Sequence, residues 1–380
     1  MTNTTTDVKI HRGLIGVHFD RTTTTLIDGK AGELCYRGYS IHDLATHSSF
    51  EEVAYLLMKG ALPTSDEFSA FDAELKATRR VPDAVFDIIL SLKDGHPMEV
   101  LRTAISALGP LDPDVDDSSP DAVLGKGIRL TSQVPILIAA HHRLRNGLEP
   151  VAPSPVLGHA ANFLYMLKGE EPSADAARLM DIDFVLHAEH GSNASSFTAR
   201  VVTATQANLH AAVTAAVAAL SGPAHGGAAE DVMRMAREIG DPANAAQYVK
   251  TKRKNREAVT GFGHRVYKAE DPRARHMRDG VKKLSSEMGE PQWFEILQAV
   301  VAAMSPYARH GVNVNVDFYS GVAYHLYGIP EDLFVPIFAV GRVPGWTVQV
   351  LEQLQNNILI RPLLKYEGPG PRDYVAMGER

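Results

Sequence analysis

Three segments set a reactive side chain beside glycine or proline at the edge of a helical stretch. In LSGPAHGGAAED, His225 stands between Pro223 and a Gly-Gly pair that opens a helix. Exposed N–H groups at a helix start carry partial positive charge and disfavour imidazolium. A neutral His225 there can donate to an oxygen that turns negative; the plainer alternative is a turn histidine satisfied by local backbone. In GFGHRVYKAEDPRARHMR, His264 follows Gly261-Phe262-Gly263, and the two glycines let a ligand approach the backbone closely. Asp271 reads as the N-cap of a helix with Pro272 at its first position. Arg273 then projects from the first turn, suited to a bidentate grip on a carboxylate, or else pairs with a surface acid. In NVNVDFYSG, Asp317 lies between Val316 and Phe318. Desolvation there raises a carboxylate's basicity and suits it to general-base work, with helix capping as the alternative.

A fourth segment, VLHAEHGSNAS, places His187 and His190 three apart on one helical face, with Glu189 nearby. This invites a zinc-dependent hydrolase, but the HExxH spacing is absent and no second cysteine accompanies the pair. Binding of an anionic substrate through His190 is the stronger reading, and no metal is expected. Residues 250–256, KTKRKNR, form a basic island. It is either a solvated helix end or a landing site for a small, multiply phosphorylated ligand.

The elements that must position these groups are mostly helical. Ser49 with Glu52, and Thr64 with Glu67, have capping-box spacing, and Gly60 closes the first of these two helices. Helical period recurs at 98–109, 131–147, 175–191, 207–220, 291–304 and 331–357. Segments containing TTTTLIDG and GELCYRG suit a small β-ribbon near the N-terminus, whereas 109–121 and 148–158 are Pro-rich and loop-like. The fold class is all-α with that ribbon. Breaks at Ser221-Gly222-Pro223 and Tyr327-Gly328-Ile329-Pro330 bracket an inserted lobe carrying His264 and Asp317.

Bulk composition narrows the function classes. The chain has 380 residues, 45% hydrophobic and 22% charged, enough to bury a large core or two. A net charge of −7 argues against nucleic-acid or anionic-membrane binding. The single cysteine, Cys35, fits a reducing, cytoplasmic setting. The N-terminal MTNTTTDVKIHRG lacks the apolar core of a signal peptide. The uncharged run 201–229 is Ala-rich and broken by Ser-Gly-Pro, so it reads as a buried helix and a turn rather than a membrane span.

Together these pieces resemble the citrate synthase family. RGLIGVHFDRTTTT, ELCYRGYSIHDLATHSSFEEVAYLLMKGALPT, HGSNASSFTAR, SGPAHGGAAE, GFGHRVYKAEDPRA and NVDFYSG match its segments in family order across nearly the whole chain. The resemblance implies a homodimer of two-domain subunits, with a large helical domain (residues 1–224 and 329–380) and a small closing domain (225–328). It implies condensation of acetyl-CoA with oxaloacetate, CoA thioester being a substrate and no cofactor being needed. Carried over by motif, Asp317 would take the methyl proton, His225 would stabilise the enolate, and His264 would polarise the ketone. His190, Arg273 and Arg342 would bind oxaloacetate, with Arg361 supplied by the neighbouring subunit. Gly261, Phe262, Gly263 and Lys268 would meet CoA. The same machinery serves 2-methylcitrate synthases, which use propionyl-CoA, and one methylene changes discrimination by only about 1–3 kcal/mol. The match begins near Arg12, so the dimeric type without an N-terminal NADH-inhibited domain is expected.

Overall fold

The computed structural model describes residues 9–380. Three short strands come first: β1 (Thr25–Asp28), β2 (Glu33–Tyr36) and β3 (Tyr39–Ser40). They form one antiparallel sheet in the order β1-β2-β3, with Thr25 opposite Tyr36 and Asp28 opposite Glu33. This is the expected ribbon, extended by a third strand.

Sixteen α-helices follow among the described residues. They are α1 (Ile41–His47), α2 (Phe50–Lys59), α3 (Ser65–Ala77), α4 (Asp83–Ser91), α5 (Pro97–Leu108), α6 (Pro120–Arg145), α7 (His159–Lys168) and α8 (Ala174–His187). Then come α9 (Ala194–Ala204), α10 (Leu209–Leu220), α11 (Ala228–Ile239), α12 (Ala245–Lys254), α13 (Ala274–Glu287), α14 (Pro291–Met304), α15 (Asp317–Leu326) and α16 (Phe334–Gln355). The all-α expectation holds.

Local signals set most helix ends. Thr64 and Glu67 form a complete capping box on α3, each side chain serving the other's backbone N–H. Ser49 accepts from the N–H of Glu52, but the Glu52 carboxylate is taken by the Ser48 hydroxyl, so only half of that box forms. Gly60, at φ 93°, ends α2 in the left-handed conformation. The helix expected from 131 begins eleven residues earlier, at Pro120, capped by Ser119. Gly127 obscures that start in the sequence, yet it is a packing device. A Cβ on it would lie 2.2 Å from Thr347 on α16, so the two helices touch backbone to side chain.

Helix α16 is the spine of the core, packed against α2, α6, α8, α9 and α10. With the turn before it, this is the one segment among the described residues long and apolar enough to cross a membrane. Its most apolar 18-residue window is 94% buried inside the protein, which is the signature of a core helix. Gly341 and Gly345 let it press against the end of α8, where a Cβ on Gly345 would meet the Ala188 carbonyl at 2.2 Å. Arg342, between them, is thereby carried to the C-terminal end of α8.

Helices α11 to α15 pack mainly on one another: α11 and α13 on α15, and α12 and α13 on α14. This lobe meets the rest of the chain at specific points. The Gly29 carbonyl, at the β1–β2 turn, accepts from the Lys268 N–H at 2.7 Å. The Leu179 side chain of α8 fills the space beside Gly280 on α13.

Candidate active site

The segment carrying His264 and the segment ending at Asp317 are laced together. Gly263 N–H donates to Asn313 O at 2.7 Å, Asn315 N–H to Gly261 O at 3.0 Å, and Asp271 N–H to Val314 O at 3.1 Å. The Asn315 side-chain amide adds a bond to Gly263 O at 3.1 Å. Gly261 and Gly263 have φ of +79° and +88°, which the pairing requires and other residues resist. A Cβ on Gly261 would strike the Phe318 ring at 2.4 Å, so the group that approaches this backbone is the chain's own α15. Beside Gly263 the space is open. The Phe262 and Phe318 rings meet edge to face at 5.0 Å.

His264 is a neutral donor by construction. Its Nδ1 accepts the backbone N–H groups of Val266 (3.0 Å) and Tyr267 (3.2 Å), and an N–H can only donate, so the ring proton sits on Nε2. Burial, then the nearby Arg273 charge, pulls its pKa down to about 4. Its ring lies 5.3 Å from that of His190, edge to face.

His225 carries the opposite tautomer. Its Nε2 accepts from the Ser195 backbone N–H at 3.3 Å, leaving the proton on Nδ1, and also contacts Ser195 Oγ at 2.9 Å. That hydroxyl is itself fixed, accepting from Trp346 Nε1 (3.1 Å) and lying 2.8 Å from Asn193 Oδ1. Asn193 caps α9, which places Ser195 in its first turn. Burial, reinforced by Arg342, holds the His225 pKa at about 4. The residue sits just ahead of α11, as the Gly-Gly pair suggests.

Asp317 is the first residue of α15, but the N-cap position belongs to Val316 and no side-chain cap bond is made. Its carboxylate takes no hydrogen bond among the described residues, and its pKa is raised, by burial above all. The capping alternative is therefore set aside by the geometry, and a half-buried, underused carboxylate remains.

The cations lie deep. Arg273 is 4% exposed, and its Nε and Nη2 bind the Asp271 carboxylate at 2.9 and 2.7 Å. The Asp271 carboxylate also makes the cap bond expected of it, Oδ1 accepting the Arg273 backbone N–H at 3.1 Å. The same oxygens hold the Arg273 guanidinium and accept the Val316 N–H (3.4 Å), and the regular helix α13 starts only at Ala274, two residues later than expected. Arg342 is 1% exposed, donates through Nε to the His187 carbonyl, and lies 4.6 Å over the Phe338 ring. Its Nη1 is buried with no partner, a costly state for a charged donor unless an anion completes it. Burial, with Arg273 adding, draws the Arg342 pKa down to about 10, against the pull of Glu189 and Tyr36.

His190 is 7% exposed and shares a 3.0 Å hydrogen bond between Nε2 and the Tyr267 hydroxyl. Burial first, then Arg273, keeps it neutral. Its loop is tied down by Glu189, whose carboxylate accepts from Thr25, from the Gly191 N–H (2.6 Å) and from Gln349 (2.8 Å). Glu189 is thus a structural acceptor, and no group of three or more His, Cys, Asp or Glu among the described residues is arranged to hold a metal.

His190, His225, His264, Arg273, Asp317 and Arg342 therefore belong to one neighbourhood. Arg361 does not join it within this chain. It is exposed on an extended tail beyond α16, beside Ile358, Leu359, Leu363 and Leu364, which are 58–96% exposed. Lys268 is exposed at the rim. In the basic island, Lys252 pairs with Glu257 and Arg253 stacks on Tyr307, at the solvated end of α12. Sequence reasoning missed Ser195 and Tyr267. Neither has a distinguishing pattern, although the proximity of Asn193 and Ser195 to His190 hinted at a built turn.

Residues 13–363 match the family model described as "Citrate synthase, C-terminal domain". The chain is 45% identical to citrate synthase 2 of Bacillus subtilis, over 97% of this chain and 99% of that protein. It is 42% identical to 2-methylcitrate synthase of Mycobacterium tuberculosis, over 97% and 93%. It is also similar to citrate synthase of Thermoplasma acidophilum, solved as a ternary complex with carboxymethyl coenzyme A and oxaloacetate. That likeness has a TM-score of 0.92 at 30% identity and covers 98% of this chain and all of the other.

Proposed function

Because this chain belongs to the citrate synthase family, we propose that it condenses acetyl-CoA with oxaloacetate and water to give citrate and CoA. The observation that carries this reading is the pair of opposed tautomers. His225 presents Nδ1–H, His264 presents Nε2–H, and the unbonded Asp317 carboxylate shares their neighbourhood.

A thioester α-proton is weakly acidic, so base and enolate stabiliser must act together in a dry site. Asp317 removes a methyl proton, and the C–H electrons move onto the thioester oxygen, where His225 Nδ1–H meets the developing charge. The enolate carbon attacks the oxaloacetate ketone as His264 Nε2–H donates to its oxygen. Water then cleaves the thioester, releasing CoA and citrate. Arg273 and Arg342 neutralise the two carboxylates, the free Arg342 Nη1 being ready for one of them, and His190 adds a further contact. Gly263, with open space beside it, and Gly261, Phe262 and Lys268 form the CoA side. The chemistry calls on no resident cofactor or metal.

The reading includes a homodimer. The tail bearing Arg361 exposes a run of large apolar side chains that a second copy would cover, delivering Arg361 to the neighbouring site. It also includes closure of the 225–328 lobe over the substrates, and a cytoplasmic setting suited to the single free Cys35.

Relatives of nearly equal identity carry the citrate and 2-methylcitrate synthase names, so propionyl-CoA is the second reading. Thiol release from each thioester, with and without oxaloacetate, tests both. Acetyl-CoA is expected to give the higher kcat/KM, and Asp317→Asn to abolish turnover of either. A dominant propionyl-CoA rate would replace the first reading by the second, and oxaloacetate-independent release would sink both.

A further inference from the structure

Three hydrogen bonds fix how α15 lies along α8. Tyr327, just past α15, donates to Ala176 O at 2.9 Å, while Tyr324 and Ser320 both donate to the Asp183 carboxylate, at 2.5 and 3.0 Å. Moving down α15 is thus moving up α8, an antiparallel register. One turn further along each helix, Asp317 precedes Ser320 and His187 follows Asp183. The helical repeat sets these two residues facing each other.

The protonation pattern of His187 is readable. Its Nδ1 lies 2.8 Å from the Asp183 carbonyl oxygen, which can only accept, so Nδ1 carries a proton. Its Nε2 is buried with no partner. The ring is held edge-on to Phe338 at 4.8 Å, and the side chain is 1% exposed, so it cannot turn away to water. Arg273, Arg342, Asp271 and Asp183 are the other charges around Asp317.

We propose that His187 is a positioning residue for the base: its unpartnered Nε2 accepts a hydrogen bond from Asp317 once that carboxylate has taken the substrate proton. At rest no hydrogen bond joins the two: His187 Nε2 has no partner, and it is burial that raises the basicity of the Asp317 carboxylate. When the C–H bond breaks, its electrons go to the enolate and its proton to Asp317. The new O–H then finds its acceptor in His187, and no proton leaves the pair. This deepens the proposed function and rests on Asp317 being the base.

The test compares His187→Asn, whose amide keeps a donor near Nδ1 but has no atom at Nε2, with His187→Gln, whose amide reaches the Nε2 position and can present its carbonyl. Each is assayed by thiol release, with the isotope effect of methyl-deuterated acetyl-CoA. His187→Asn is expected to lower kcat roughly tenfold to a hundredfold, the worth of one hydrogen bond in the transition state. It should leave the oxaloacetate KM near the wild-type value and enlarge the isotope effect. His187→Gln should recover part of the loss. Wild-type kcat in His187→Asn, or equal losses in both variants with an unchanged isotope effect, would overturn the proposal. Should the Asn variant not fold, the isotope effect of the Gln variant decides alone: larger than wild type supports the proposal, unchanged refutes it. If wild type releases no thiol, the proposed function has failed instead.

Discussion

Ser195→Ala separates the chemistry of His225 from its packing. The hydroxyl touches three groups: Trp346 Nε1 at 3.1 Å, Asn193 Oδ1 at 2.8 Å and His225 Nε2 at 2.9 Å. Removing it strands the buried indole N–H, at a cost of about 1–3 kcal/mol. Spread over the unfolding entropy of a chain this long, that lowers Tm by about 1–4 °C. It also leaves His225 Nε2 with only the 3.3 Å backbone contact, so the ring loses a constraint on the direction of Nδ1–H. A loss of about 1–2 kcal/mol of oriented stabilisation is about a 5–30-fold fall in kcat. Oxaloacetate KM should stay put, because Ser195 touches none of His190, Arg273 or Arg342. Thiol release gives kcat and KM, and thermal melts give the stability term. Adding Trp346→Phe removes the stranded donor, so Tm should partly recover in the double variant while kcat stays low. If kcat remains within twofold of wild type while Tm falls, Ser195 serves the core alone and the orientation argument is wrong.

The buried imidazoles predict how stability varies with pH. His142, His210, His225, His264 and His276 are pulled to about 4 and His159 to about 3, with burial the leading cause in each. Their stabilising effect is full above the unfolded value near 6.5. It is lost as pH falls towards 4, because the unfolded chain then binds protons that the folded one refuses. Asp181, raised to about 6 by burial, works the other way below pH 6, as do Glu189, Glu230 and Asp317, which burial also raises, but the depressed imidazoles outnumber these carboxyls. Urea midpoints at pH 7.5, 6 and 5 should fall in that order, and a flat series would contradict the argument. The shared site predicts complementation: Arg361→Ala and Asp317→Asn should each be nearly inactive, yet mixing them through dissociation and reassociation should restore about a quarter of wild-type activity, since half the dimers carry one intact site. No gain over the separate variants would place Arg361 outside the site.

Much of the site was legible because its groups sit on strong local punctuation. Pro223 and the glycines around His225 and His264 mark turns, and turns are where side chains leave helical faces. Composition alone could not say which imidazole nitrogen holds the proton. That depends on donors from elsewhere in the chain, such as the Ser195 N–H, and on the tight turn of Val266 and Tyr267 over His264. Asp271 was legible only in part for a related reason. Asp-Pro is a good helix start by local preference, and the cap bond forms, but the same carboxylate also holds a buried guanidinium two residues on, which no local pattern announces. The early part of α6 was obscured by Gly127, whose purpose is a neighbour, Thr347, more than two hundred positions away. Tertiary contacts of this kind leave no periodic trace.

The turn between β1 and β2 carries a last consequence. The Gly29 carbonyl holds the Lys268 N–H, and a Cβ on Gly29 would lie 2.3 Å from the Val266 carbonyl, on the same tight turn that fixes the His264 ring. The first ordered hairpin of the chain is therefore part of the mould for a loop made long afterwards. During synthesis it must wait, its edge unsatisfied, until most of the polypeptide has emerged, and such distant closures are slow. The reaction centre is thus among the last regions to reach its final shape, and a nascent chain stalled before the lobe is complete carries no part-formed catalyst.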